Sequence, residues 1–269
     1  YLINMDLNQI LGYIGALVVG FVLGLIGGGG SILTVPILVY LIGLNPVTAT
    51  AYSLFVVGTT SLFGAIQNYK NKMVDLRTAV IFAIPAFLAV YLTRRYIVPA
   101  IPESLFTIFG FEVTKNIFIM IFFAIIMLSA SISMIKTKKK SIKTKQDIKY
   151  NIPLIILEGV IVGILTGIVG AGGGFLIIPA LVLLANLPMK LAVGTSLVII
   201  STKSLIGFLG DVQNLTIDWT FLIIFTSLSI IGILIGVYAT KFITSEKLKK
   251  GFGWFTLFMA LYIIYKELF

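Results

Sequence analysis

The chain has 269 residues, of which 59% are hydrophobic and 11% are charged, whereas soluble domains carry about a quarter charged residues. This composition predicts a polytopic membrane protein in a lipid bilayer. The net charge of +10 does not indicate nucleic-acid binding, because the basic residues cluster in short loops between apolar segments, as on the cytoplasmic side of membranes. Histidine and cysteine are absent, which excludes thiol catalysis and argues against a metalloenzyme; no cofactor is expected.

Ten apolar segments follow one another along the chain and predict an all-α polytopic fold. Most have close to the ~20 residues that a membrane-spanning helix needs. Segments 31–43 and 174–186 have about thirteen residues each, nearer to half a bilayer at ~1.5 Å rise per residue, and both follow a glycine cluster. The ten predicted segments are 7–26, 31–43, 47–66, 76–97, 116–135, 152–170, 174–186, 190–210, 219–241 and 250–268.

The second half of the chain repeats the first at an offset of 143 residues. The alignment runs without a gap from Gly20 on Gly163 to Asp75 on Asp218. Shared hydrophobicity does not explain the matched glycine, proline and polar positions, so we interpret the halves as an internal duplication. The predicted organisation is an N-terminal five-helix repeat (1–135), a basic linker (136–149) and a C-terminal five-helix repeat (150–269).

An odd number of segments in each half predicts that the two halves are inverted relative to each other. The linker "KTKKKSIKTKQDIK" is interpreted as a solvated cytoplasmic loop, with a lipid-headgroup or partner site as the alternative. Loop 67–75, which carries Lys70 and Lys72, is then also cytoplasmic, and its repeat partner "GDVQNLTID" (210–218) is external. Both termini would be external in the plasma membrane. Arg94 and Arg95, near the outer side, disagree mildly with this orientation.

Two glycine clusters lie inside apolar runs: "LIGGGGSILTVP" (25–36) and "IVGAGGGFLIIP" (168–179). Glycine is a poor helix former, so each cluster needs an explanation. One interpretation is close helix packing, which the spacing of Gly20 and Gly24 favours. The other is a helix break, where free N–H groups and the positive end of a helix dipole form an anion site. Whether each break reverses the chain or lets it cross the membrane stays open.

A glycine cluster followed by apolar residues and a proline, with a Thr-Ser or similar pair some twenty residues later, resembles the TauE/SafE sulfite exporter family. The residues that carry the resemblance are Gly27 to Pro36 with Ser53, and Gly170 to Pro179 with Gly194-Thr195-Ser196. The first half departs from the pattern with Ala51-Tyr52-Ser53, which weakens the expectation of two equal sites. The resemblance spans residues 10–265 approximately. It implies transport of a small inorganic or organic sulfur-containing anion across the plasma membrane.

Lys203 lies near the centre of segment 190–210 and aligns with the neutral Thr60. A mid-membrane lysine costs roughly 2.5–3.5 kcal/mol on insertion scales and is a functional candidate by default. The structural alternative is pairing with Asp211 or a helix C-terminus. Asp211 lies about 12 Å further along the same helix, so direct pairing would be strained. We therefore expect Lys203 to face an anion.

The predicted substrate site combines the glycine backbone, hydroxyl groups and Lys203. For the hydroxyl groups the alternative is back-bonding to carbonyls one turn earlier in the helix. Gln67 and Asn68, at the end of segment 47–66, are interpreted as helix caps, with a gate as the alternative. The predicted substrate-binding residues are Gly28, Gly29, Gly30, Ser31, Ser53, Thr60, Gly172, Gly173, Gly174, Thr195, Ser196 and Lys203.

The sequence therefore predicts a secondary transporter for sulfite, another sulfur oxyanion or an organosulfonate, working by alternating access. An anion channel or facilitator without ion coupling stays open, because carboxylates are scarce within the apolar segments. A membrane enzyme or assembly subunit is disfavoured by the absence of histidine and cysteine and by the lack of a soluble domain.

Overall fold

The structure is a computed structural model that describes residues 7–28, 30–108, 111–136, 152–183, 187–240, 242 and 245–268. Gly29 and most of the predicted linker lie outside the described residues. The described part is mostly helical. In chain order its elements are α1 (Leu7–Ile26), α2 (Ser31–Pro36), a π-helical segment (Ile37–Leu41), α3 (Pro46–Lys70), α4 (Leu76–Leu92), a second π-helical segment (Thr93–Ile97), α5 (Val98–Ala100), β1 (Ser104–Ile108), β2 (Phe111–Thr114), α6 (Lys115–Lys136), α7 (Ile152–Val169), α8 (Gly174–Leu183), α9 (Met189–Asp211), α10 (Trp219–Ala239) and α11 (Ser245–Leu268).

Each of the ten predicted apolar segments coincides with a helical stretch of the structure. Seven helical stretches in the described residues are long and apolar enough to cross a membrane, and residues 31–41 form a shorter apolar helix. The all-α expectation was wrong in one place, because β1 pairs antiparallel with β2 between α5 and α6. Aromatic and β-branched residues in both strands favour extended backbone there.

The starts of α4 and α10 are set by two aspartates that align in the repeat. The Asp75 carboxylate accepts a hydrogen bond from the Thr78 N–H at 2.8 Å, and the Asp218 carboxylate accepts one from the Phe221 N–H at 3.0 Å. These N-caps satisfy backbone donors that the first helical turn leaves free. The same local sequence signal therefore starts the fourth predicted segment of each half.

The helices α3 and α9 form the centre of the molecule. In the most apolar 18-residue stretch of each, 72% of the residues are buried, compared with 39–50% in the corresponding stretches of the other five candidate spans. These two helices pack against each other, α3 also contacts α10, and α9 also contacts α4. Around them α1 packs on α10, α4 packs on α7, and α6 packs on α11.

Glycines allow two of these pairs to approach closely. A Cβ added to Gly20 would overlap the Ser229 carbonyl of α10, and one added to Gly163 would lie 2.6 Å from the Ala86 carbonyl of α4. One turn further along, Gly24 is crowded by the α10 backbone, and Gly167 is crowded by the Thr93 side chain in the π-helical segment that continues α4. The packing interpretation of these four glycines is thus confirmed.

The outer surface of the helices is apolar. On α4 the exposed residues recur every fourth position, which places them on one face of the helix. A face of this kind suits contact with lipid chains rather than water. Its members are Leu76, Val80, Ile84, Leu88 and Leu92.

Candidate anion site

Two glycine segments separate consecutive helices in equivalent positions of the halves. The first glycine segment (27–30) lies between α1 and α2, and the second glycine segment (170–173) lies between α7 and α8. Gly27 has φ +76° and Gly170 has φ +71°, values in the left-handed region that glycine adopts without steric cost. The Gly27 N–H donates to the Leu23 carbonyl at 2.7 Å, and the Gly170 N–H donates to the Thr166 carbonyl at 2.8 Å. Both preceding helices therefore end in the same way.

The two glycine segments meet although they are far apart in sequence. A Cβ added to Gly28 would overlap the backbone of Gly174, and one added to Gly174 would overlap the backbone of Gly28. A Cβ on Gly172 would lie 3.2 Å from the Cβ of Ser31. Ser31 itself donates to the Gly28 carbonyl at 2.7 Å. The fold thus brings the predicted residues Gly28, Ser31, Gly172 and Gly174 together.

Each glycine segment also packs against the central helix of the other half. A Cβ on Gly27 would lie 2.5 Å from Val193 of α9, and one on Gly170 would lie 2.5 Å from Thr50 of α3. Thr50 and Val193 align in the repeat. Ser196 of α9 donates to the Gly27 carbonyl at 2.9 Å. The central helices thereby fix the positions of both segments.

Lys203 lies beside the second glycine segment with its side chain fully buried. Its Nζ donates to the Thr166 Oγ1 at 2.7 Å, and a Cβ added to Gly173 would lie 2.8 Å from Nζ. The Thr166 hydroxyl itself donates a hydrogen bond to the Val162 carbonyl at 2.7 Å, so its oxygen is free to accept from the lysine. Among the described residues this neutral hydroxyl is the hydrogen-bond partner of Lys203, which leaves two of the three ammonium donors unused.

Of the two structural alternatives for Lys203, pairing with Asp211 is not found, because Asp211 pairs with a different cation. A position beside a helix C-terminus is found, since Thr166 lies in the last turn of α7. The Asp211 Oδ2 lies 3.5 Å from the Nη1 of Arg94, a side chain that is fully buried. Arg94 Nη1 also donates to the Thr50 Oγ1 at 3.1 Å. The sequence interpretation had missed Arg94 by placing it near the outer surface. The signal that could have found it is a charge inside a predicted span.

Thr195, another predicted site residue, binds a loop. Its Oγ1 accepts a hydrogen bond from the Asp75 N–H at 2.9 Å. In the aligned position of the other half, the Tyr52 hydroxyl accepts from the Asp218 N–H at 2.6 Å. The two halves differ in sequence here, with Ala51-Tyr52-Ser53 in place of Gly194-Thr195-Ser196. In both halves, however, a side-chain hydroxyl at the aligned position accepts a hydrogen bond from the N–H of the aligned aspartate.

The remaining predicted residues have varied surroundings. Gly30 packs against the α1 backbone, where a Cβ would lie 2.5 Å from the Leu23 nitrogen. Ser53 and Thr60 of α3 are buried, and their hydroxyl groups have no hydrogen-bond partner in the described part of the chain. The same holds for Thr34, Ser61 and Ser204. Back-bonding, the alternative for hydroxyl groups, is found at Ser201 and Thr202, which both donate to the Val198 carbonyl.

Two cavities flank the central helices. The first, here the Lys190 cavity, has about 470 Å³ and is lined by Gly24, Leu25, Gln67, Asn68, Asn71, Met73, Lys190, Val193, Val237, Tyr238 and Thr240. The second, here the Asp211 cavity, has about 410 Å³ and is lined by Asn45, Val47, Thr48, Val98, Pro99, Glu103, Lys115, Asn116, Asp211, Asn214 and Leu215. Asn68 aligns with Asp211 and Asn71 aligns with Asn214, so the cavities have repeat-related linings.

The sequence matches the family described as "Sulfite exporter TauE/SafE" over residues 13–263. The chain belongs to the TauE/SafE family. It is 31% identical to a "Probable membrane transporter protein" of Xylella fastidiosa (strain 9a5c) over 93% of this chain and 92% of that one. It is 32% identical to the "Probable membrane transporter protein YunE" of Bacillus subtilis (strain 168) over 76% of this chain and 78% of that one. No solved structure matches this TauE/SafE chain significantly.

These comparisons confirm the resemblance to the TauE/SafE family. The family and its relatives are named as membrane transporters and not as enzymes. This TauE/SafE member is accordingly a multi-pass membrane transporter, in agreement with the seven candidate spans.

Proposed function

We propose that this TauE/SafE member is a secondary transporter that moves sulfite, another sulfur oxyanion or an organosulfonate across the plasma membrane by alternating access. The observation that carries the proposal is the position of Lys203. Its ammonium is fully buried next to Gly173, with the neutral Thr166 hydroxyl as its partner among the described residues. An isolated cation in an apolar interior is costly unless something of opposite charge accompanies it. A translocated anion supplies that charge.

The backbone at the start of α8 supports the same ligand class. The N–H groups of Leu176 and Ile177 both donate to the Gly173 carbonyl at 3.0 Å. The N–H groups of Gly174 and Phe175 precede them in the first turn, where no helical acceptor exists. Together with the helix dipole, such donors favour a negative charge. We infer that the anion lies between these N–H groups and Lys203, close to the contact of the two glycine segments.

An inverted arrangement of the two halves is supported by the helix packing. At the 143-residue offset α1 aligns with α7, α3 with α9, and α4 with α10. The contact of α1 with α10 therefore corresponds to the contact of α7 with α4, and the contact of α3 with α10 corresponds to that of α9 with α4. The offset maps the central α3–α9 pair onto itself, while α6 and α11, the fifth predicted segments of the two halves, pack against each other. This exchange is what a pseudo-two-fold axis between the halves produces. In an inverted pair the axis lies in the membrane plane. From the lysines of the linker we infer that the linker is cytoplasmic and both termini are external.

The two cavities suggest how access alternates. If the halves are inverted, the Lys190 cavity and the Asp211 cavity open toward opposite sides of the membrane. The Lys190 cavity contacts a residue that adjoins a glycine segment, because Val193 lines this cavity and touches Gly27. We infer that one half rocks against the other, so that each cavity in turn reaches the anion.

The proposal is tested with the purified protein reconstituted into liposomes. Uptake and efflux of sulfite, sulfate, thiosulfate and short sulfonates are measured under imposed pH, Na⁺ and voltage gradients. Concentrative flux of at least one of these anions, driven by a pH or Na⁺ gradient, is expected. Passive, voltage-driven flux that ignores both gradients would instead establish a channel or facilitator. If none of these anions moves or binds, the proposal fails.

A further inference from the structure

We propose that Arg94 forms a second oxyanion site, separate from Lys203, beside the Asp211 cavity. One corner of its guanidinium group is occupied: Nη1 donates to Thr50 and lies 3.5 Å from Asp211. The other two nitrogens, Nε and Nη2, are buried and have no hydrogen-bond partner in the described residues. These two nitrogens form the side edge of the planar guanidinium group, whose parallel N–H bonds match two oxygens of one ligand.

The neighbouring carboxylate does not satisfy this guanidinium group. Charge-assisted N–H···O bonds measure about 2.7–2.9 Å, whereas the Asp211 Oδ2 lies 3.5 Å from Nη1 and has no hydrogen-bond partner of its own. The pair is therefore an ion pair without a hydrogen bond. A fully buried guanidinium group with an unused bidentate edge is a rare and costly arrangement, and an oxyanion would complete it.

A cavity adjoins this ion pair. Asp211 lines a cavity of about 410 Å³, within the range of ~300–1,000 Å³ that is usual for small-molecule sites. Arg94 contacts Asp211 and lies one turn before Val98, which also lines the cavity. The same Nη1 reaches Thr50, which touches Gly170. Arg94 is thus separated from the Asp211 cavity and from the second glycine segment by one residue each, and we infer that a ligand reaches its free edge from this cavity.

The chemistry of the edge selects the ligand class. Two parallel donors fit a sulfate, sulfite or sulfonate group through two of its oxygens, whereas a halide ion accepts at a single point. The other charged groups of the cavity, Lys115 and Glu103, pair with each other at 3.9 Å. Asp211 is therefore the negative group that an arriving oxyanion must face, and its removal should strengthen binding.

The experiment is isothermal titration of the purified full-length chain in detergent micelles with sodium sulfate and sodium sulfite, with sodium chloride for comparison. Asp211→Asn is expected to bind sulfate several-fold more tightly, about 3–10-fold, because the opposing charge is gone. Arg94→Lys keeps a positive charge beside Asp211 but lacks the bidentate edge, and it is expected to weaken sulfate binding by at least about tenfold. Arg95→Lys is the matched control: Arg95 is partly exposed and donates to Gln213, so sulfate binding should not change.

Tighter binding by Asp211→Asn cannot result from misfolding, so this variant tests the proposal even if Arg94→Lys proves unstable. Sulfate affinity that falls or stays constant in Asp211→Asn overturns the Arg94 site, as does equal affinity for sulfate and chloride in the unmodified protein. The site rests on Arg94 and not on the proposed role of Lys203. A response to the Arg94 and Asp211 variants, with none to Lys203→Met, would support this inference and contradict the proposed anion site at Lys203. Weaker binding in Lys203→Met, with no response to the Arg94 and Asp211 variants, would support the anion site at Lys203 and contradict the Arg94 site.

Discussion

Gly28 and Gly174 contact each other backbone to backbone, and neither position has room for a side-chain carbon. The contact joins the segment that follows α1 to the first residue of α8. Glycine at these two positions therefore allows the two chain segments to pack closely, in addition to any role in binding. This gives the glycine segments a stability role that can be measured without knowledge of the substrate.

We expect Gly174→Ala to lower the free energy of unfolding by about 1–3 kcal/mol, because the added methyl group overlaps Gly28 and Ile200. Thermal unfolding of the detergent-solubilised protein measures the change. Gly251→Ala is the matched control, since a Cβ there meets no atom within 4 Å and alanine has the higher helix propensity. Equal unfolding temperatures for the two variants would contradict the contact.

Lys203→Met is expected to weaken sulfate or sulfite binding by about tenfold or more, because the ammonium lies beside Gly173 of the second glycine segment. Its thermal stability should be kept or raised, since a buried charge is replaced by an apolar chain of similar length. Lys70→Met makes the same replacement at an exposed position at the end of α3 and should leave affinity unchanged. Unaltered affinity in Lys203→Met would assign Lys203 to a structural role.

Thr195→Val is expected to cost about 0.5–1.5 kcal/mol of stability while anion affinity stays the same, because the Thr195 hydroxyl accepts from the Asp75 N–H. Thermal unfolding and titration with sulfate separate the two effects. Thr202→Val is the control, as the Thr202 hydroxyl returns to the Val198 carbonyl of its own helix. A large loss of affinity in Thr195→Val would instead indicate that Thr195 binds the substrate, as the sequence predicted.

The absence of cysteine from the chain makes single-cysteine labelling straightforward. Asn71 and Asn214 align in the repeat, and both are exposed. If the halves are inverted, a membrane-impermeant maleimide added to intact cells labels Asn214→Cys but reaches Asn71→Cys only after the cells are opened. Labelling of both positions from the same side would exclude the inverted arrangement.

The helices could be predicted from the sequence because the residues that determine them lie close together in the chain. Apolar runs of sufficient length, ended by glycine, proline or capping residues, predicted all ten helical stretches. The hairpin of β1 and β2 was missed, since short strands in a loop lack the length that makes a pattern distinct. The π-helical segment at Thr93–Ile97 was also missed, as it depends on how α4 packs against α7 and α9.

The candidate site was harder to predict because its contacts join distant parts of the chain. The sequence singled out Lys203 through the cost of a charge in an apolar run, and the structure places it beside Gly173. The sequence could not show that Asp211 pairs with Arg94, since that pair joins α9 to the end of α4. For the same reason Thr166, which holds Lys203, was not recognised.

Composition and apolar runs were enough to predict a multi-pass membrane protein and to locate its helices, and the glycine and proline motifs of the two halves pointed to the TauE/SafE transporter family. These properties follow from transfer free energies and backbone hydrogen bonding, which each stretch of chain carries by itself. Which polar groups meet was decided by the tertiary structure alone. The approach of Gly28 to Gly174, the burial of Arg94 and the isolation of Lys203 all depend on how α3 and α9 bring the halves together.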